Sequence, residues 1–312
     1  MFTRFRTSAL TAAAGLALGV VPTAARAAQP LSLLQDSAYE SIYAPPAVTT
    51  EDQGTNQGGV NIDLVLSYFS DYVFRGIDRS ETSETEDAGN IQFDGALRWD
   101  LGRYPDLFMG VFTNINEGDS ISHFQEIRPY FGIELTARPL ILTAGNTFYI
   151  YPDRDTSNTA EVWGRLQLDD SYFFRTDDPV FSPYVLCAYD YRQGDGFYLE
   201  AGVRHDFQIE DTPLVLSPVA RVAYVINHQL FRTGGIPAAD PAFGIGTSGP
   251  ETGFQHYQLG LEATYTLNQL LNIPARLGQL DLKGYLFYTD GIDNDLRADT
   301  EIYGGVGIGF SY

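Results

Sequence analysis

The chain of 312 residues carries 40 acidic and 19 basic side chains, which gives a formal net charge of −21. This charge argues against nucleic-acid binding, which needs clustered Lys and Arg to neutralise phosphates. The 20 Tyr and 20 Phe argue against disorder, and the single cysteine, Cys187, excludes an internal disulfide framework.

The first residues have the organisation of a cleaved export signal. Two arginines form a short basic region, residues 8–21 are apolar, and Ala25 and Ala27 give the small-x-small pattern that signal peptidase requires. The apolar run is too short to cross a bilayer as a helix, and no later segment reaches eighteen apolar residues. We therefore predict a signal peptide over residues 1–27 and export of the rest.

Residues 28–59 differ in composition from everything that follows. They are rich in Pro, Gly, Gln and acidic residues, which is typical of a flexible segment. We predict a flexible N-terminal tail here. A short helix around Leu31 and Leu34 that plugs a pore or makes a periplasmic contact is the alternative.

From Val60 onward, apolar residues alternate with polar or small ones, which is the period of a β-strand. In residues 126–137, for example, Ile127 and Ile133 lie on one face and Glu126 on the other. This alternation predicts twelve strands, near residues 60–76, 89–101, 107–115, 123–137, 139–150, 159–174, 180–191, 196–209, 213–228, 254–268, 276–290 and 300–312.

Several features favour an outer-membrane barrel over an exported soluble β-sandwich. The predicted strands are long enough to cross a bilayer at a tilt, whereas strands of soluble proteins average about 5 to 6 residues. Connections alternate between short turns that carry proline, such as Arg138-Pro139, and longer polar loops, of which 229–253 is the largest. Aromatic residues gather near the predicted strand ends, as interface girdles require: Tyr68, Tyr72, Phe74, Phe148, Tyr151, Phe173, Tyr189, Tyr191, Tyr288 and Phe310.

The end of the chain adds to this pattern, because it stops inside a strand at an aromatic residue, Tyr312. Such an end resembles the signal that the outer-membrane assembly machinery recognises. The predicted fold is therefore all-β, a transmembrane antiparallel barrel of twelve strands over residues 60–312, located in the outer membrane. Its short turns face the periplasm and its longer loops the exterior. The expected partners are outer-membrane lipid and the assembly machinery, and the pattern leaves the oligomeric state open.

Charged residues collect on the face that would line the lumen. Acidic residues outnumber basic ones two to one on this parity, which predicts a preference for cations if the barrel conducts. The acidic set is Asp63, Asp94, Asp100, Glu126, Glu134, Glu161, Asp169, Asp190, Glu200, Asp206, Glu262 and Asp281, and the basic set is Arg98, Arg128, Arg165, Arg204, Arg221 and Lys283. The candidates for lining a pore are Asp71, Arg75, Asp94, Arg98, Glu126, Arg128, Glu161, Arg165, Glu200, Arg204, Glu262 and Lys283.

Two functions are compatible with these residues. The first is a narrow passive porin for small polar or cationic solutes, since twelve strands lie between a filled barrel and a wide channel. The second is a closed structural or binding barrel whose acidic loops, 78–87 and 290–299, bind divalent cations or partners. No catalytic set, cofactor motif or metal-spaced histidine pair is found. We therefore predict no enzymatic activity, and surface or interface positions for His123, His205, His228 and His256.

The end of the first predicted strand reads Ser70-Asp71-Tyr72-Val73-Phe74-Arg75-Gly76-Ile77-Asp78-Arg79-Ser80, and the next strand contains Gly95-Ala96-Leu97. The segment resembles the opening signature of the TorF-type porin family of Gram-negative bacteria, Ser-Asp-Tyr-x-x-Arg-Gly-x-x-x-Ser. Where that family often has a Ser-Gln pair, this chain has Asp78-Arg79. The resemblance implies an outer-membrane barrel that begins with a signal peptide and ends in an aromatic residue.

The strand parity places Tyr72 and Phe74 on the lipid side near the outer rim, with Asp71 and Arg75 pointing inward at the mouth. Asp71 and Arg75 are spaced for cross-strand pairing. Arg75 is then either a constriction or rim residue, or one half of an ion pair that pins the first loop.

Overall fold

The computed structural model describes residues 59–80, 89–101, 104–116, 124–152, 158–176, 178–231 and 251–312. The predicted signal peptide and nearly all of the predicted tail lie outside these ranges, as do His123 and residues 81–87 of the first acidic loop. Among the described residues, no helix is long and apolar enough to cross a membrane.

Twelve antiparallel strands form a closed wall. They follow one another in the order β1-β4-β5-β6-β7-β8-β9-β10-β12-β13-β14-β15, and β15 pairs with β1 to close the barrel. β2 and β3 form a separate hairpin, and β11 adds a short extension beside β12. The predicted twelve-stranded antiparallel barrel is therefore confirmed. The strands are β1 (Val60–Phe69), β2 (Val73–Phe74), β3 (Ile77–Asp78), β4 (Asn90–Trp99), β5 (Asp106–Asn116), β6 (Phe124–Ala137), β7 (Leu140–Tyr149), β8 (Thr159–Leu168), β9 (Tyr184–Asp190), β10 (Gly196–Arg204), β11 (Phe207–Gln208), β12 (Leu214–His228), β13 (Glu251–Thr266), β14 (Gln279–Gly291) and β15 (Glu301–Ser311).

The outer face of the wall is apolar and the inner face is polar. In β1, Leu64 and Leu66 are 38% and 54% exposed, whereas Asp63 and Ser67 on the opposite face are buried. A water-soluble barrel would show the reverse pattern, because exposed rows of large apolar side chains aggregate in water. This arrangement is that of a membrane-spanning barrel, whose apolar side chains face lipid.

At the seam, where β1 pairs with β15, the inner face of β15 carries glycines. A Cβ atom on Gly305 would lie 2.5 Å from the Phe69 ring. The missing side chain leaves room for Phe69 to pack against Tyr285 with ring centroids 5.2 Å apart. These rings belong to an apolar cluster inside the barrel, beside the seam.

The barrel has two unlike ends. At the terminal end, β1 begins and β15 finishes; at the loop end lie the connection from β1 to β4 and the long connection from β12 to β13. Two terminal-end connections contain short helices, α1 (Ser171–Phe174) and α2 (Asn268–Leu271). By the usual habit of such barrels, the terminal end faces the periplasm.

The prediction that one strand runs over residues 159–174 is wrong at its end. β8 stops at Leu168, and the side chain of Asp170 accepts hydrogen bonds from the backbone N–H groups of Val180 and Phe181, at 2.7 Å and 2.8 Å. These bonds hold the connection as a compact turn that includes α1. The exposed aromatic residues of α1 are therefore turn residues at the terminal rim.

A charge on the outer face tests the membrane placement of the wall. Ile308 is 52% exposed and lies between Leu66 and Leu282 on the two neighbouring strands. We expect Ile308→Lys to lower the free energy of unfolding in lipid vesicles by about 2–4 kcal/mol, because lysine near the middle of the bilayer is poorly solvated. Denaturant titration of the vesicle-embedded protein measures it, with Ile308→Ala as the control. Equal losses for the two variants would contradict a lipid-facing position.

Candidate functional site: a charged lumen and the hairpin that enters it

The segment that follows β1 turns into the barrel. Its strands β2 and β3 pair through Val73 with Asp78 and Phe74 with Ile77, which leaves Arg75 and Gly76 as a two-residue turn. Both turn residues have positive φ, 52° and 72°, as expected for the mirror-image turns that join tight hairpins. We call residues 70–80 the lumen hairpin.

The tip of the lumen hairpin reaches the far wall. The guanidinium of Arg75 donates two hydrogen bonds to the carboxylate of Glu161 on β8, at 2.5 Å and 2.8 Å. β8 is the sixth of the twelve wall strands counted from β1. The hairpin that follows β1 therefore crosses the lumen, and this ion pair joins its tip to the opposite wall. Burial alone would lower the pKa of Arg75, but the Glu161 carboxylate more than offsets this and holds that pKa above its usual value.

Backbone contacts hold the tip on its other side. Gln255 on β13 donates to the carbonyl oxygen of Arg75 at 2.8 Å. Asp299 donates its N–H to the carbonyl of Gly76 at 2.7 Å and accepts the N–H of Asp78 at 2.8 Å. The tip is therefore fixed by three separate parts of the chain.

A second buried carboxylate organises the base of the hairpin. Glu126 on β6 accepts hydrogen bonds from Tyr72 at 2.6 Å and from Arg79 at 3.0 Å, both from the hairpin. From the wall side, Arg128 donates to it at 2.5 Å and Tyr151 at 3.2 Å. Because Glu126 is fully buried, these donors replace the water that its charge would otherwise require.

The apolar side chains of the hairpin pack against aromatic side chains of the wall. Phe74 meets Tyr149 with ring centroids 5.8 Å apart and lies under the guanidinium of Arg128 at 3.9 Å. Val73 belongs to the apolar cluster beside the seam, together with Phe69 and Tyr285. The hairpin therefore fills the loop end of the lumen. Beside its tip remains a cavity of about 20 Å³, which is room for one water molecule.

This position corrects one prediction and decides between two others. Tyr72 and Phe74 do not face lipid, since they are 0% and 2% exposed inside the barrel; Tyr151, also assigned to the aromatic girdle, is buried with them. The strand parity failed because β1 ends at Phe69 and the chain leaves the wall. Arg75 is half of an ion pair that pins the first loop. It does not pair with Asp71, which accepts a hydrogen bond from Ser70 at 2.6 Å.

The predicted lumen residues lie inside the barrel. Their role in lining a pore remains a prediction, although each is at most 8% exposed: Asp71, Arg75, Asp94, Arg98, Glu126, Arg128, Glu161, Arg165, Glu200, Arg204, Glu262 and Lys283. Among them, Arg75 meets Glu161, Arg128 meets Glu126, and Arg204 meets Glu262 at 2.7 Å.

Not all residues of the predicted acidic lumen set are buried on wall strands. Asp100 is exposed, Glu134 and Asp206 are half-buried, and Asp169 lies in a connection after β8. The wall strands therefore carry eight buried acidic side chains against six buried basic ones: Asp63, Asp94, Glu126, Glu161, Asp190, Glu200, Glu262 and Asp281 against Arg98, Arg128, Arg165, Arg204, Arg221 and Lys283.

Two histidines are placed differently from the prediction. His228 and His256 are 1% and 0% exposed, at the loop-end part of β12 and β13, and His256 lies beside the turn at Gly76. The surface positions predicted for them are wrong, because the hairpin covers this part of the wall. The one signal that could have located the hairpin is the run from Tyr72 to Phe74, which is apolar on both parities.

Glu161, Asp190 and His228 offer one ligand atom each within 4.8 Å of one another, which is the spacing of a potential metal site. Both oxygens of Glu161 already accept from Arg75. The carboxylate of Asp190 accepts from the hydroxyl of Thr159 at 2.7 Å and from the backbone N–H of Gln193 at 2.9 Å. A metal ion would have to displace these donors, so the three residues are explained by the contacts they make.

Comparisons with known proteins give fold likeness alone. No family model and no curated protein matches the chain. Among solved structures, an outer-membrane channel from Pseudomonas putida F1 is similar at 11% identity and a TM-score of 0.44, over 85% of this chain and 100% of that one. LpxR from Salmonella typhimurium is similar at 12% identity and 0.43, over 80% and 99%, and the NanC porin at 9% and 0.42, over 80% and 98%.

Removing the arginine of the pair that spans the lumen tests its contribution to stability. We expect Arg75→Met to lower the free energy of unfolding by about 3–5 kcal/mol, because Glu161 is left as a buried charge without its partner. The double variant Arg75→Met/Glu161→Gln should recover most of this loss. Denaturant titration measures both.

The control is Arg192→Met, which removes an exposed arginine and should change stability little. If Arg75→Met and Arg192→Met behaved alike, Arg75 would not be holding the hairpin.

Proposed function

We propose that the protein is a narrow passive channel of the outer membrane for small polar or cationic solutes. The observation that carries the proposal is the row of buried charges on the inner wall, fourteen on nine of the twelve strands. A barrel that only needs to be filled could use apolar or small side chains at a lower desolvation cost. Ionisable groups inside a membrane span usually mark a path for water and ions.

In this proposal the lumen hairpin is the element that closes the channel when it lies inside the lumen. It supplies Arg75 and Arg79, which neutralise Glu161 and Glu126. When the hairpin leaves the lumen, both carboxylates are exposed to the path without these arginines. The open channel is therefore more acidic than the closed barrel, and its preference for cations arises on opening.

A closed structural or binding barrel is the second candidate, and the apolar packing of the hairpin favours it. Val73 and Ile77 are 0% and 2% exposed, so moving them into water costs hydrophobic free energy. Of the acidic loops in this alternative, residues 81–87 lie outside the described part. In 290–299, Asp299 is already bonded to the hairpin backbone.

Single-channel recording in planar bilayers with a salt gradient separates the two candidates. We expect the wild-type barrel to open rarely, and Glu161→Gln to open more often because Arg75 loses its charged acceptor. The openings should show a reversal potential that favours cations. Silence of both folded proteins would contradict the channel and leave the closed barrel.

A matched control lies in the other half of the lumen. Glu262 pairs with Arg204 at 2.7 Å and has no contact with the hairpin among the described bonds. We expect Glu262→Gln to move the reversal potential toward zero, because one acidic charge of the path is lost, while the frequency of opening stays that of the wild type. An equal rise in opening for both variants would show that the hairpin is not the closing element.

A further inference from the structure

Arg165 differs from the other buried arginines of the described chain. The six others, Arg75, Arg79, Arg98, Arg128, Arg204 and Arg221, each have a carboxylate oxygen within 4.0 Å. Arg165 is only 5% exposed and has no such carboxylate among the described residues, and its Nε–H has no acceptor there. Within the described part of the chain its guanidinium lies over the ring of Tyr184, whose centroid is 3.9 Å from the guanidinium carbon.

A second donor stands beside it on the same strand and the same face. Gln167 is two residues further along β8, 4% exposed, and its side-chain N–H₂ also lacks an acceptor among the described residues. Side chains at i and i+2 of a strand project to one side about 7 Å apart. An oxyanion that accepts hydrogen bonds of about 2.9 Å on two sides can bridge such a gap.

The acidic side chains near Arg165 are bonded to other residues. Thr143, opposite Arg165 on β7, donates its hydroxyl to Glu134 at 3.3 Å, and Glu134 in turn is held by Arg98 at 3.1 Å. On the other side, the hydroxyl of Tyr184 donates to Glu200 at 2.6 Å. The acidic groups of this wall are therefore engaged elsewhere, and none of them neutralises Arg165.

We propose that Arg165 and Gln167 form a binding seat in the lumen for the carboxylate or phosphate group of a small solute. The guanidinium fork matches the two oxygens of such a group, and the amide of Gln167 adds a further donor. The seat lies in the half of β8 toward the terminal end, away from Glu161, which the tip of the hairpin contacts. The inference goes beyond the proposed function, because the seat takes an anionic group whereas the open path favours cations, and it rests on a lumen that solutes can enter.

Direct binding to the folded protein in detergent tests the seat without any conductance measurement. Isothermal titration with sodium acetate and, separately, with sodium phosphate should give saturable binding at constant ionic strength, with chloride as the balancing anion. We expect Arg165→Met to weaken this binding by about tenfold or more, because a charged hydrogen-bonding partner is lost. Gln167→Leu should weaken it less. The tighter of the two anions identifies the group.

Arg138→Met is the matched control, since it removes an arginine that is exposed at the same end of the barrel. It should bind like the wild type. Two results would overturn the seat. One is that the wild type binds acetate and phosphate no more tightly than chloride, and the other is that Arg165→Met binds them as tightly as the wild type does. A barrel that binds the anion through Arg165 but never conducts would contradict the proposed channel and leave the seat in place.

A stability measurement distinguishes a seat from a structural role. Without oxyanion, Arg165→Met should raise the denaturation midpoint, because a buried charge without a counterion is replaced by an apolar side chain of similar length. Addition of phosphate should raise the midpoint of the wild type and leave that of Arg165→Met unchanged. A lower midpoint for Arg165→Met in the absence of anion would mean that Arg165 serves to hold the wall.

Discussion

The ion pair between Arg75 and Glu161 joins the two sides of the barrel through its lumen. Both side chains are buried, so each would lose a large solvation free energy on its own, and the two hydrogen bonds of the guanidinium fork offset that loss only in this one geometry. The geometry in turn requires the tight turn at Gly76, where a Cβ atom would lie 2.5 Å from the His256 ring. The buried ion pair, the tight turn at Gly76 and the packing of that turn against the wall therefore depend on one another.

The loop end and the terminal end of the lumen are filled in different ways. At the loop end, hairpin and wall share buried carboxylates, and apolar rings fill the remaining space. At the terminal end, arginines of the wall pair with carboxylates of the wall, as Arg98 does with Glu134 and Arg204 with Glu262. Arg165 stands apart from both arrangements. The lumen thus combines a half that the hairpin fills with a half in which Arg165 has no carboxylate within 4.0 Å among the described residues.

The wall of the barrel could be predicted from the sequence because side chains along its strands alternate between lipid and lumen with a period of two, apart from register shifts in the pairing of β5 with β6 and of β12 with β13. That period fixes which side chains point inward, and Arg128 and Glu262 lie there as predicted. It carries no information on where a chain leaves the wall. In the sequence, Tyr72 and Phe74 continue the lipid-facing alternation of β1, but in the structure they belong to the hairpin. His228 and His256 are buried because the hairpin folds back into the lumen. Their burial could not be predicted either, because the alternation does not show where the chain leaves the wall.

The segment that resembles the TorF-type signature, Ser70 to Ser80, is the lumen hairpin itself. Its contacts show what those residue types do in this chain: the tyrosine and the second arginine hold Glu126, and the Arg-Gly turn reaches Glu161. The sequence could not predict the partners of these residues, because Glu126 lies 54 residues from Tyr72 and Glu161 lies 86 residues from Arg75. Spacing along one strand cannot locate a contact across the lumen.

The seam between β1 and β15 has a consequence for the order of assembly. The first and last strands of the wall must meet, and the hairpin that follows β1 also bonds to Asp299, 221 residues after Asp78. Contacts of this sequence separation form slowly, because nearly the whole chain must be in place first. Until β15 arrives, the hairpin has neither a complete chamber around it nor its anchor at Asp299. Filling of the interior and sealing of the wall are therefore late events that depend on each other during biogenesis.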